Sequence, residues 1–208
     1  MSTAGAVRAG SERREEILAI AAELFAERGF AATTVREIGD AAGILSGSLY
    51  HHFDSKESMA DELVHELLDR VLASYRRIVA THDDPELALR GLVHEAFSAI
   101  ATDRATVAVM VNEWSLFTQF PRFAYLREIE EDTEKLWVSV IERGVDTGAF
   151  RARLDARMVY RLLRDAIWVS VRWFNPAGND TSDEIADSYL AVMLDGIATA
   201  YTNTGASR

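Results

Sequence analysis

The sequence predicts an all-α protein of about nine helices: an N-terminal three-helix unit followed by a larger helical body. Three observations carry that expectation. Only 3 prolines and 12 glycines interrupt 208 residues, and the prolines fall where helices start or end. The stretches between them repeat apolar residues at the i, i+3, i+4 spacing of amphipathic helices. No segment reads convincingly as a strand.

Met1–Gly10 is made of small residues and is expected as a flexible, disordered N-terminus, residues 1–10. Ser11 can cap a helix whose apolar face is Ile17, Ile20, Ala21, Leu24 and Phe25, with Gly29 as its stop. Thr34-Val35-Arg36-Glu37 is a capping box opening a short helix that ends near Gly43. A second short helix is expected from Ser46 to Phe53, and Ser55 then caps a long one to about Thr81. Asp84-Pro85 opens a helix to about Thr102, and another runs from Arg104 to about Phe117. Pro121 begins or bends one that reaches about Gly144. A helix from Asp155 to Phe174 stops before Pro176, and Thr181-Ser182-Asp183-Glu184 is a capping box for a last helix to about Tyr201.

Composition narrows the function. The chain has no cysteine, which excludes disulfides, thiolate metal sites and a cysteine nucleophile. Its 22 Lys+Arg against 33 Asp+Glu give a net charge of −11. Such a protein is repelled by nucleic acid at long range, so loose non-specific binding is not expected. Residues 1–56 are closer to balance, with 6 basic and 8 acidic side chains, so a DNA-facing surface would lie there. No apolar run is long enough to span a membrane, and no apolar leader precedes Gly10. A cytoplasmic location is the expectation.

The segment Thr34–Lys56 carries the strongest signal. A two-turn helix stops at Gly43, turns through Ile44 and Leu45, and restarts, which is the layout of a helix-turn-helix. Val35, Ile38, Ile44, Leu49 and Phe53 have the spacing to pack on Leu24 and Phe25. The second helix then exposes Ser46, Gly47, Ser48, Tyr50, His51 and one side of His52, with no carboxylate before Asp54. Small and hydrogen-bonding side chains of this kind suit close approach to the major groove. A small polar helix in an ordinary bundle would share the same pattern.

The residues also resemble the N-terminal signature of the tetracycline-repressor (TetR) family. The resemblance runs through Gly29-Phe30, Thr33-Thr34-Val35-Arg36-Glu37-Ile38, Gly43-Ile44, Gly47-Ser48-Leu49-Tyr50-His51-His52-Phe53 and Ser55-Lys56. It implies a helix-turn-helix DNA-binding domain over residues 11–56 and a ligand-binding and dimerisation domain over 57–208. It also implies that Thr34, Tyr50, His52 and Lys56 hold phosphates, while Arg36, Ser46, Gly47, Ser48 and His51 lie at base edges. Arg36 is the best candidate for a specific contact, because guanidinium pairs bidentately with guanine; a salt bridge with Glu37 or Asp40 is the structural alternative. Two departures stand out. Gly39 replaces the usual alanine, and Leu45 replaces a common capping serine, so Ser46 either takes over the cap or stays free to touch DNA.

In the body, Trp114, Phe117, Phe120, Phe123 and Tyr125 cluster behind Met110, as either core or pocket lining. Tyr160, Arg164, Trp168 and Arg172 form one helical stripe. Buried arginines need anionic partners, either Asp165, Glu113 or Glu128, or an anionic ligand with an apolar part. The candidate ligand residues are therefore Met110, Trp114, Phe117, Phe123, Arg164, Trp168 and Arg172. The run from Leu154 to Trp173, with Gly43–Tyr50, is similar to a branch of the family: actinobacterial repressors of the late, ring-degrading stage of cholesterol catabolism. That resemblance implies release by a CoA thioester.

An enzyme is not expected. Glu62-x-x-His65 has the spacing of a di-iron ligand pair but lacks the second copy such a site needs. There is no glycine-rich phosphate loop and no nucleophile elbow. No metal or cofactor is implied. The reading is a homodimeric repressor of a palindromic operator with an acyl-CoA effector, controlling steroid or lipid catabolism. The expected dimer contact is a four-helix interface formed by two apolar faces, Leu163, Ile167, Val171 and Phe174 on one helix and Leu190, Met193, Leu194 and Ile197 on the last. The alternatives are a helical ligand carrier or enzyme that does not bind DNA, an activator, and a regulator of drug efflux.

Overall fold

A computed structural model describes the backbone of residues 3–195 and side chains from Glu12 to Leu194. Nine α-helices and no strand occur among the described residues. They are α1 (Thr3–Arg28), α2 (Val35–Ala41), α3 (Ser46–Leu49), α4 (Lys56–Thr81), α5 (Pro85–Thr102), α6 (Arg104–Phe117), α7 (Tyr125–Asp146), α8 (Ala156–Val169) and α9 (Ser182–Leu190). None of them is long and apolar enough to cross a membrane.

Local sequence accounts for most helix starts. Capping boxes at Thr34/Glu37, Ser55/Ser58 and Thr181/Glu184 satisfy otherwise orphaned amides of α2, α4 and α9. Asp84 accepts from Glu86 and Leu87 with Pro85 at the first helical position. Four boundaries differ from the expectation. α1 begins at Thr3 rather than Ser11, because Ala4, Ala6 and Ala9 continue the helix where a disordered lead-in was expected. α3 closes after one turn, and His51, His52 and Phe53 follow as a tightened turn bonded to Ser48 and Leu49. The expected helix Asp155–Phe174 breaks into a 3₁₀ turn at Ser170–Arg172, where Arg104 takes the Val171 and Phe174 carbonyls at 3.1 and 3.2 Å. After α9 a π turn covers Ala191–Asp195, and the remainder of the expected last helix lies outside the described residues.

The helix-turn-helix packs as expected: Ile17, Ala21, Phe25, Ile38, Leu49 and Phe53 are all buried. That core continues through Met59 and Val64 of α4 into a body where Leu67, Val71 and Tyr75 meet Leu92, Phe97, Trp137 and Ile141. α9 lies along α5, with Tyr189 stacked edge-on to Phe97 at 5.7 Å and donating to the Leu163 carbonyl at 3.2 Å.

Two groups of predicted residues are core instead. Phe117 and Phe123, expected to line a pocket, are fully buried and stacked at 4.4 Å with 4° between their planes. Leu163, Ile167, Val171, Phe174 and Leu190, expected as a dimer face, are buried within their own protomer. The apolar side chains that the same two helices and the turn after α9 leave exposed are Met158, Leu162, Val169, Val192 and Met193. Of the other residues expected in that face, Met193 is exposed, Leu194 is half-buried, and Ile197 lies outside the described residues. Phe117→Ala is expected to destabilise the fold by about 3–5 kcal/mol, read as a drop in the urea unfolding midpoint.

Candidate DNA interface and effector cavity

The turn between α2 and α3 is built from backbone contacts. Thr34 Oγ accepts from the Glu37 amide at 3.2 Å, and the Thr34 amide donates to Glu37 Oε2 at 2.8 Å. The Thr34 amide first, and then the Thr34 hydroxyl donating to the same carboxylate oxygen, hold the Glu37 carboxyl below the usual carboxylate range. Gly43 reverses the chain at φ +67°. The Ile44 amide then donates to the Gly39 carbonyl at 2.9 Å. A Cβ on Gly39 would lie 3.1 Å from the Ile44 oxygen and 3.4 Å from Ser46 Cα. The missing methyl lets α3 sit close to α2, so the departure from alanine has a packing role.

This geometry brings the predicted base-edge residues together. Gly47, Tyr50 and His51 are exposed, and Ser46, Ser48 and His52 half-buried, on α3 and the turn after it. Leu45 occupies the N-cap with no side-chain cap bond, so Ser46 does not take over the cap. Arg36 is 85% exposed and meets Asp40 only at 3.7 Å, while Glu37 pairs with Arg28 at 3.1 Å. Thr34 is exposed at the start of α2, with its hydroxyl also donating to Glu37 at 2.8 Å.

Lys56 is placed differently from the other proposed phosphate ligands. Its Nζ donates to the carbonyls of Phe30 at 2.7 Å and Thr33 at 2.8 Å, and it lies 4.5 Å from the centre of the Phe30 ring. These contacts favour a structural role over phosphate binding. They belong to a junction around Phe30, whose amide donates to Glu113 Oε1 at 3.0 Å. The Phe30 ring sits edge-on between Phe25 and Phe117, 5.2 Å from each. α6 thereby holds the turn after α1.

Beneath α6 lies a cavity of about 300 Å³. α4 lines it with Leu68, Val71, Leu72 and Tyr75; α6 with Met110, Val111 and Trp114; α7 with Ile129, Glu130 and Thr133; α8 with Tyr160, Arg164, Asp165, Trp168 and Val169. Of the predicted ligand residues, Met110, Trp114, Arg164 and Trp168 share this wall. Phe117, Phe123 and Arg172 do not, and Arg172 is exposed because the break at Ser170 turns it off the α8 stripe. Tyr75, Tyr160, Thr133 and Glu130 were missed; Tyr160 alone had a visible signal, on the arginine stripe.

Arg164 is already paired. Its Nη2 lies 2.8 Å from Asp165 and its Nη1 3.2 Å from Glu130. Burial opposes its charge, and Asp165, Tyr160 and Glu130 more than offset that, so its pKa is raised. Asp165 was one expected partner; Glu130 replaces Glu128, and Glu113 serves Phe30. The buried-arginine argument for an anionic ligand is therefore answered within the chain. Burial pushes the Tyr160 hydroxyl up to about 12, against the lowering effect of Arg164, so it faces the cavity neutral.

A helix-turn-helix joined to a larger helical body is the architecture of a DNA-binding transcriptional regulator. Residues 17–63 match the bacterial regulatory proteins of the tetR family, and residues 82–197 match the tetracyclin repressor-like C-terminal domain. The chain belongs to the TetR family. It is 49% identical over 191 residues to the transcriptional repressor KstR2 of Rhodococcus jostii, covering 92% of this chain and 94% of that protein. It is 47% identical to KstR2 of Mycobacterium tuberculosis, covering 90% and 94%. The structure described as the ketosteroid transcriptional regulator KstR2 of M. tuberculosis superposes with a TM-score of 0.87, covering 90% of this chain and 96% of that one. The fold is shared with AibR, solved with isovaleryl coenzyme A and operator DNA, at 21% identity and a TM-score of 0.77, covering 88% and 98%.

Lys56→Met is expected to cost about 1–3 kcal/mol of stability, the scale of a charged hydrogen bond. It should leave the slope of log Kd against log salt unchanged. A lost phosphate contact would instead flatten that slope by about one.

Proposed function

We propose that this chain acts in the cytoplasm as a homodimeric repressor of steroid-catabolism genes, released from a palindromic operator by an acyl-CoA thioester. The observation that carries the ligand-responsive part is the position of the cavity. α6 gives it Met110, Val111 and Trp114 and gives the DNA-binding unit Glu113 and Phe117. A ligand that moves α6 or α4 therefore acts on the α1–α2 turn directly. The names of the KstR2 relatives support a steroid-derived effector, and AibR supports an acyl-CoA within this fold.

The size of the cavity divides the ligand. About 300 Å³ is at the lower end for small-molecule sites, so the acyl group would lie between Trp114, Tyr160 and Trp168 and the nucleotide part outside, past Arg164. An anion at that mouth must displace Asp165 or Glu130 from the guanidinium. Recognition there would thus be an exchange of partners, and the ligand must favour the released state to shift the equilibrium at all. Among the described residues no group of three or more His, Cys, Asp or Glu side chains is placed to hold a metal ion.

For the dimer, the exposed apolar face of Met158, Leu162 and Val169 on α8, with Met193 beyond α9, is the proposed contact. Two recognition helices about 34–36 Å apart, or a multiple, would then read the two half-sites. Leu162→Glu is expected to give a monomer in sedimentation and to abolish operator binding while the helical circular dichroism is retained. A dimeric Leu162→Glu protein would place the interface elsewhere.

The effector test is titration of the protein–operator complex with steroid-ring and straight-chain acyl-CoA thioesters, followed by fluorescence anisotropy. The steroid-ring thioester should release wild type, and Arg164→Ala and Trp168→Ala should need at least about tenfold more. Equal response of both variants would move the pocket away from α8. Release by the free acids but not the thioesters would remove CoA from the reading. For the operator, Arg36→Ala is expected to cost about 1–3 kcal/mol and to relax preference at one base pair per half-site. Unchanged binding profiles across a base-substituted operator would return Arg36 to a surface role.

A further inference from the structure

We infer that Leu45 reads the 5-methyl group of a thymine in the major groove, as an apolar specificity contact beside the polar residues of α3. The inference rests on DNA binding through α3 and names a contact that the polar pattern of the helix does not contain.

Leu45 is 81% exposed, the most exposed of the large apolar side chains that reach the surface. Its neighbours explain why it points outward. Ile44 is bonded through its amide to Gly39 and packs against the core. The Ile44 oxygen and Ser46 Cα both close over the Gly39 backbone, at 3.1 and 3.4 Å from where a methyl would stand. The residue between them is left with no inward direction. The Leu45 carbonyl accepts the Ser48 amide at 2.8 Å, so the backbone beneath the side chain is held. The position has N-cap geometry, φ −66° and ψ 141°, where a serine, threonine or aspartate would satisfy an α3 amide. Leucine forgoes that bond and exposes an isobutyl group to water.

The flanking surface says what covers it. Ser46, Gly47 and Ser48 leave room for close approach, and no carboxylate stands between Gly43 and Asp54 to repel phosphates. The major groove offers one apolar group at base edges, the thymine methyl, which aliphatic side chains contact. A polar cap at this position could not distinguish thymine from uracil. A leucine can, because burying one methyl group contributes about fourfold in affinity.

The test replaces single thymines by deoxyuridine. Operator duplexes are first selected from random DNA with the wild-type protein. Each thymine is then changed in turn, and the duplexes are titrated with wild type and Leu45→Ala. The expected result is one thymine per half-site whose methyl removal weakens wild type about fourfold and leaves Leu45→Ala unaffected, a coupling confined to that position. The variant should keep wild-type unfolding midpoints, since Leu45 has little packing to lose. Three outcomes overturn the inference: identical deoxyuridine profiles for the two proteins; no sensitive thymine for wild type; or a loss in Leu45→Ala that is the same for thymine and uracil duplexes, which marks a sugar–phosphate contact. Failure of wild type to select any DNA is separate and removes the underlying repressor reading.

Discussion

The orientation of the helix-turn-helix on the body depends on how completely Phe30 is held. Its amide goes to Glu113 of α6, its carbonyl to Lys56 of α4, and its ring between Phe25 and Phe117 with the Lys56 ammonium over it. One residue thus joins α1, α4 and α6, and every polar group it carries is satisfied inside the protein. The Gly29 conformation at φ +87° ends α1 and delivers Phe30 into this position. Because the same α6 lines the cavity, the contacts that make the protein rigid are also those through which a bound ligand can be felt.

That arrangement gives the acidic side chains distinct tasks. Glu113 and Glu130 are both half-buried and close to the cavity. Glu113 points toward the DNA-binding unit and accepts a backbone amide; Glu130 points toward Arg164 and accepts a guanidinium. An ion pair that solvent reaches contributes little net stability, and Asp165 and Glu130 are 66% and 40% exposed beside Arg164. The Arg164–Asp165–Glu130 group is therefore better suited to rearrangement than to stabilising the fold. The Phe30 junction, made of aromatic packing and a charge-assisted bond, is suited to the opposite.

What was legible in the sequence was local. Capping boxes at Thr34 and Thr181 act across three residues, and the α2–turn–α3 layout is written in Gly43 and the apolar spacing around it. What was not legible depended on distant partners. Lys56 reads as a phosphate ligand until Phe30 and Thr33, more than twenty residues earlier, supply carbonyls to it. Arg172 continues the Arg164 stripe until the 3₁₀ turn at Ser170–Arg172 follows α8, where Arg104 takes the Val171 and Phe174 carbonyls. Phe117 and Phe123 share their composition with pocket aromatics, and only their mutual stacking assigns them to the core. The two apolar sides of α8 were likewise equivalent in sequence; α8 packs on α7, α5 and α6, with Leu163 and Ile167 buried and Leu162 outside.

The charge distribution completes the argument about DNA. Between Glu12 and Lys56 every described cation has a partner: Arg13 has Glu16 and the Ala42 carbonyl, Arg14 has Glu62, Arg28 has Glu37 and Lys56 has its carbonyls. Arg36, at 3.7 Å from Asp40 and almost fully exposed, is the most loosely held. A surface with so little uncommitted positive charge, on a chain of net charge −11, gains little from counterion release. A hold on random DNA that rests on these described side chains would be weak for that reason, and base edges and groove shape would supply a correspondingly larger share of the binding. Among the described side chains no broad electrostatic attraction would retain a recognition helix moved off its base edges.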